Sequence, residues 1–162
     1  MGIPLEKSKE LFGIYNRKFP NLNRWLKNQA SFGIKNGYIL INDIHKGRRW
    51  FKNHKEMLEG NYRYKGDIER QSMNTSIQGT GAVVVKHAMK DCRNFLIIQD
   101  YWQSDVYMIG QVHDEIIFEI RDELWEIVTP KLKDIMVEAG NFYVSKVNMK
   151  VDATISNKWL KE

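Results

Sequence analysis

The fold turns on VYMIGQVHDEIIFEI, residues 106–120. Two largely apolar runs, VYMIGQV and EIIFEI, are separated by so few residues that only a tight antiparallel hairpin can join them. His113, Asp114 and Glu115 then stand at or beside the turn, at the end of the ladder. Asp is common in turns because its carboxylate accepts bonds from nearby backbone N–H groups, so composition by itself favours a solvated hairpin tip. Two features point the other way. The flanking strands are apolar nearly throughout, which predicts a hairpin covered on both faces. Two adjacent carboxylates at the end of a buried hairpin also repel each other unless a cation neutralises them. A divalent ion such as Mg²⁺, which takes oxygen ligands, would do so.

Upstream, apolar residues at Met73, Ile77, Val84, Val85, Ala88 and Met89 predict a long helix over about 68–95. It opens with ERQSMNTSIQGTG, 69–81, in which Arg70, Asn74 and Gln78 fall at i, i+4 and i+8 and so share one face. Asp67 and Glu69 lie at its start, where acidic groups suit the helix dipole. A solvated outer face is the plain reading of that stripe. Such faces are usually stocked with Lys and Glu, however, whereas Asn and Gln amides carry both donors and acceptors and suit base edges. Gly79 and Gly81 cost the helix roughly 1 kcal/mol each against Ala, which suggests a close approach by another backbone or a nucleic acid strand.

Towards the N-terminus, Leu11, Phe12, Tyr15 and Phe19 recur at helical spacing from Pro4 to about Lys18, and Pro20 breaks the pattern. A second helix from about Leu22 places Trp25, Leu26 and Phe32 on its inner face and stops at NGY, 36–38, with Gly37 left-handed. YILIN and RRWF pair as a short hairpin around His45, Lys46 and Gly47. Residues 52–65 read as an irregular polar excursion. The basic segments KGRRWFKNHK (46–55) and NYRYKG (61–66) interleave cations with aromatics, which fits phosphate contact plus stacking and serves solubility equally well. Beyond the central hairpin, Asp122 is placed to cap a helix to about Ala139 that Pro130 kinks or restarts. KVNMKVDATI, 146–155, closes as a strand. The sum is an α+β fold, helices on one face of a small antiparallel sheet, without repeats, low-complexity tracts or an evident second domain.

The totals agree. A chain of 162 residues with 43% hydrophobic and 28% charged residues is an ordinary folded domain with a real core. A net charge of +5 leans towards an anionic partner, nucleic acid being the usual one. The single cysteine, Cys92, excludes an internal disulfide and a Cys-based zinc site. No apolar run approaches the ~20 residues that cross a bilayer, and MGIPLEKSKE lacks the apolar core of a signal peptide, so no membrane partner is expected.

Read in order, these pieces resemble the C-terminal part of family-A DNA polymerases, the bacterial DNA polymerase I and phage replicative type. GIPLEKSKELFGIYNRKFPNL is similar to the helices after the nucleotide-binding finger helix, and GYILIN…GRRWF to the family's Gly-Tyr…Gly-Arg-Arg hairpin. ERQSMNTSIQGTGAVVVKHAM resembles its long palm helix, with Arg70, Asn74, Gln78, Gly79 and Thr80 in register. QVHDEIIFE resembles the motif-C hairpin almost residue for residue, and VNMKVDATISNKW the closing strand. Glu115 favours the DNA enzymes, since related single-subunit RNA polymerases tend to carry His-Asp-Ser there. The resemblance implies that residues 1–36 end the fingers and residues 37–162 form the palm. It implies that Asp114 is one of two metal-holding catalytic aspartates, with Glu115 in support and His113 near the primer terminus. Arg70, Asn74 and Gln78 would face the minor groove of the new duplex, and Arg48 and Arg49 would also contact DNA. The reaction implied is attack of a primer 3′-hydroxyl on the α-phosphate of a deoxynucleoside triphosphate, with two Mg²⁺ ions ~3.5–4 Å apart. The setting implied is cytoplasmic, the nucleoid or a host cell.

Two family elements have no counterpart in the sequence. Motif A supplies the other aspartate in an Asp-Tyr-Ser-like strand, and Asp43, Asp67, Asp100 and Asp105 stand in the wrong order and context for it. Motif B, the finger helix that grips the nucleotide, is absent too. The expectation is therefore a chain inactive alone, the C-terminal subunit of a split polymerase whose N-terminal partner carries motifs A and B. The alternatives are a fragment or a degenerate remnant, and Met1 before a helix with the intact His-Asp-Glu favours the split subunit. The alternative from another class is a non-catalytic DNA-binding or assembly module.

Overall fold

A computed structural model describes residues 3–159, so Met1 lies outside the described residues. The chain forms two compact units, 1–78 and 79–162. The sequence carries no sign of this division because it falls inside a helix, where no linker marks it. Both units mix helices with a two-stranded antiparallel ladder, so the α+β class holds, as two separate ladders rather than one sheet. No described helix is long and apolar enough to cross a membrane.

In the first unit, α1 (Leu5–Lys18) and α2 (Pro20–Asn36) meet at Phe19, with Pro20 at the start of α2, where a missing N–H costs nothing. α1 buries no residue, and the expected inner face of α2 is only partly covered, with Trp25 and Phe32 each 37% exposed. α2 ends as the sequence predicts, on Gly37 at φ 74°. Its last carbonyls find donors from several directions. The Gly37 N–H bonds Gly33, the Asn36 amide bonds Phe32, and the His54 ring donates from Nε2 to Ile34 at 2.6 Å. β1 (Tyr38–Leu40) pairs with β2 (Arg48–Trp50), Tyr38 opposite Trp50 and Ile39 opposite Arg49. Residues 52–65 are more ordered than their polarity predicts. They contain α3 (His54–Leu58) and a 3₁₀ turn (Tyr62–Tyr64), organised by Met57 entering the core with Ile39, Phe51 and Ile68. The helix α4 (Lys65–Ile98) exceeds its predicted span at both ends. Its buried Ser72 returns its hydroxyl to the Ile68 carbonyl at 2.7 Å, and this small residue faces Gly33.

In the second unit, the rest of α4 lies against β3 (Val106–Val112), β4 (Glu115–Ile120) and α5 (Trp125–Tyr143). Cys92, Leu96, Val106, Val128 and Leu132 form the core, flanked by Met108, Phe118 and Ile120. The hairpin is not covered on both faces. Val106 and Met108 point inward while Tyr107, Ile109 and Gln111 are exposed, the alternation of a one-sided ladder. A run of large apolar residues concealed that alternation. Asp105 clamps the base, its carboxylate 2.8 Å from Arg121 and its carbonyl accepting the Arg121 N–H. Asp122 does not cap α5. A turn across 121–124 precedes that helix, and Leu124 offers no side-chain cap. α5 runs unbroken through Pro130. Near its end, His87 of α4 sits edge-on to Phe142 and Tyr143 and bonds Asp91 at 3.0 Å. Residues 146–155 form no strand, since no described strand offers them a ladder.

Two measurements test this packing. A Cβ at Gly33 would stand 1.9 Å from Ser72 Oγ and 3.0 Å from the Phe51 ring. Gly33→Ala should therefore lower the stability of the first unit by about 1–3 kcal/mol in denaturant titration, and an unshifted midpoint would refute the close approach. In the second unit, burial and then the Asp91 carboxylate push the Cys92 thiol up to about 12. A folded pKa raised above the ordinary 9.0 favours the neutral thiol, a contribution complete below that value and lost as pH climbs towards 12. A disulfide reagent at about pH 8 should leave Cys92 unmodified until denaturant opens the unit. Prompt labelling of the native protein would contradict its burial.

Candidate nucleotidyl-transfer and DNA-contact residues

The hairpin tip follows from pairing alone. Val112 stands opposite Glu115, which leaves His113 and Asp114 as a two-residue loop. His113 takes φ 53°, the left-handed state such loops demand of their first residue, and the Gln111 amide donates to its carbonyl. Ile109 is the extra residue of a bulge between Met108 and Gly110, where two β3 positions answer one on β4. His113, Asp114 and Glu115 are all exposed, and among the described residues no ion pair reaches either carboxylate. The structure thus brings the three predicted residues together as an open pair of carboxylates beside an imidazole. Mg²⁺ suits such a donor set, binding through one or two carboxylates while keeping several waters. Among the described residues, no three His, Cys, Asp or Glu side chains gather where they could hold a metal.

The second group lies in the first unit. Arg70, Asn74 and Gln78 are all exposed on α4, as their spacing requires. Arg70 pairs with Asp67 one turn back, a contact exposed on both sides and therefore weak enough to exchange for another anion. Gly81 has open space where a Cβ would stand, so no close approach within this chain explains it.

The two hairpin arginines part company. Arg49 is exposed but turns towards α4, where Nη1 donates to Thr75 Oγ1 at 3.2 Å and Nη2 to Gln71 Oε1 at 2.9 Å. It fastens the ladder to α4. Arg48 lies on the other face, its guanidinium 4.7 Å from the Tyr38 ring centre and 6.0 Å from that of Trp50. Gln71 and Thr75, as the holders of Arg49, and Tyr38 and Trp50, as neighbours of Arg48, escaped the sequence reading. The alternation of a strand through RRW was the available signal, since it must send adjacent arginines to opposite faces.

The model of DNA polymerase family A matches residues 1–161. The DNA polymerase I of Bacillus caldotenax is 28% identical over 98% of this chain and 17% of its own length. The thermostable DNA polymerase I of Thermus aquaticus is 27% identical over 99% of this chain and 18% of its own. The chain thus spans less than a fifth of these relatives. The polymerase domain of Pol1 from M. smegmatis, solved with DNA primer-template and dNTP, shares the fold at a TM-score of 0.72 and 23% identity, over 85% of this chain and 23% of that one. The family model covers nearly the whole chain, and the chain belongs to DNA polymerase family A.

Proposed function

We infer that this chain furnishes the motif-C part of a DNA-directed DNA polymerase and works with a polypeptide that carries motifs A and B. The observation that supports this is the exposed pair Asp114 and Glu115 at the turn of an ordered hairpin, with His113 beside them. In this reading residues 1–36 end the fingers and residues 37–162 belong to the palm. Asp114 holds metal, Glu115 supports it from the first position of β4, and His113 lies by the primer terminus. Arg70, Asn74 and Gln78 face the minor groove, where every correct base pair offers similar acceptors, so contact tests geometry without demanding a sequence. Arg48 serves phosphate, and Arg49 acts through α4 rather than on DNA.

The chemistry is attack of the primer 3′-hydroxyl on the α-phosphate of a deoxynucleoside triphosphate, with pyrophosphate leaving. Mg²⁺, when bound, supplies neutralisation of the phosphate charge and activation of the attacking oxygen. This chain contributes the Asp114 carboxylate as anchor and the α4 stripe as a rigid gauge for the duplex. The partner contributes the Asp-Tyr-Ser-like strand with the second aspartate, and the helix that grips the nucleotide.

A non-catalytic DNA-binding module is the competing reading, favoured by the lack of a three-ligand cluster among the described residues. Primer extension separates the two. The chain alone should extend nothing, and the mixture with a partner carrying the second aspartate should extend in Mg²⁺ and stop with chelator. Asp114→Ala should reduce that synthesis by more than about a hundredfold while leaving duplex affinity within about twofold. Asn74→Ala should weaken duplex binding roughly tenfold. Silence in every mixture, with duplex binding intact, would establish the binding module instead.

A further inference from the structure

The two faces of the β1–β2 ladder do different things. Its inner face carries Ile39, which is buried, and Arg49, which is bonded to α4. Its outer face carries Tyr38, Arg48 and Trp50. Trp50 is 64% exposed, and all three residues of β2 are open to solvent. The Tyr38 and Trp50 rings lie 4.9 Å apart across the strands, Arg48 sits over Tyr38, and Phe32 of α2 braces Tyr38 edge-on at 5.5 Å. A cross-strand ring pair steadies a short hairpin, which accounts for the two rings meeting. It does not account for an indole held in place yet left mostly in water beside a cation.

Charge names the partner. Residues 1–78 hold fifteen Lys and Arg against seven Asp and Glu, a net of +8, whereas residues 79–162 hold ten against thirteen, a net of −3. The exposed indole thus stands in the basic unit, with Lys46 and Lys52 flanking the ladder in sequence. Bases within a duplex already stack on one another and present only edges, so a protruding ring with a neighbouring cation suits an unpaired nucleotide.

We propose that the outer face of the β1–β2 ladder binds single-stranded DNA, a base stacking on Trp50 and the adjoining phosphate pairing with Arg48. This deepens the polymerase reading, and rests on it, by giving the unpaired template strand a place on this chain. Arg48 and Trp50 act together because the strand repeat sets them on one face two residues apart, with Tyr38 as the shared backing.

Fluorescence anisotropy of the full chain with a labelled oligothymidylate, and separately with a blunt duplex, tests the proposal at two salt concentrations. Trp50→Ala should weaken single-strand binding about tenfold and duplex binding less than about twofold, without changing the salt slope. Trp50→Phe should restore most of the affinity. Arg48→Ala should lower the slope of log affinity against log salt by about one. Thermal melting of each variant guards against a folding defect, and Trp50→Phe keeps the aromatic pair if the Ala variant melts early. A wild-type chain without affinity for the single strand, or Trp50 variants that bind it unchanged, would overturn the proposal. If duplex binding still depends on Asn74, the polymerase reading survives that result. Single-strand binding that depends on Trp50, without duplex binding or extension in any mixture, would sink the polymerase reading instead.

Discussion

The two-residue connection between β3 and β4 governs the second unit. With Val112 opposite Glu115 there is no slack, so the register of the ladder is set by its turn. A slip by one residue would carry Val106, Met108, Phe118 and Ile120 out of the core formed with Cys92, Leu96, Val128 and Leu132. The same slip would move Asp114 off the loop. Core packing and the position of the carboxylates are thus one constraint seen from two ends. The Ile109 bulge accommodates the ladder between its clamped base at Asp105 and Arg121 and its tight tip.

The first unit solves a similar problem with fewer residues. Its ladder has three pairs, too little to stand alone. It is held by Ile39 in the core, by Arg49 on Thr75 and Gln71, and by the Ser76 hydroxyl bonding the Leu40 carbonyl at 3.0 Å. These are positions 71, 75 and 76 of α4, in the same turns as the stripe at 70, 74 and 78. The same turns of α4 therefore both fasten the ladder and carry the exposed stripe, with Gln71 stacked two turns below Gln78.

Much of this was legible in the sequence where one strong local rule applied. Gly37 ending α2, Pro20 breaking the pattern of α1, and the strand bounds 106–112 and 115–120 each follow from backbone chemistry within a few residues. The His-Asp-Glu tip followed from those bounds. The failures share a cause. The strand expected at 146–155 has the right residues, but a strand exists only with a partner, and none is described. Met57 drew a polar segment into the core through contacts with Ile39 and Ile68, distant in sequence. Asp122 has the residue type of a cap, and a turn took its place. Arg48 and Arg49 looked equivalent as letters, and only the face each occupies separates them.

Each sheet among the described residues has two strands, so every described strand is an edge. On β3 and β4 the outward N–H and C=O groups meet no described strand, and Ile109 and Tyr107 stand exposed on the open face. Such an edge invites another extended chain to pair with it. Here Glu115 and Glu119 line β4 with negative charge, both exposed, while the bulge breaks the regular spacing of β3. These are the devices by which a short ladder resists indiscriminate stacking at high concentration. Colloidal behaviour and chemistry thus meet in Glu115, a carboxylate at the hairpin tip that also guards an open strand.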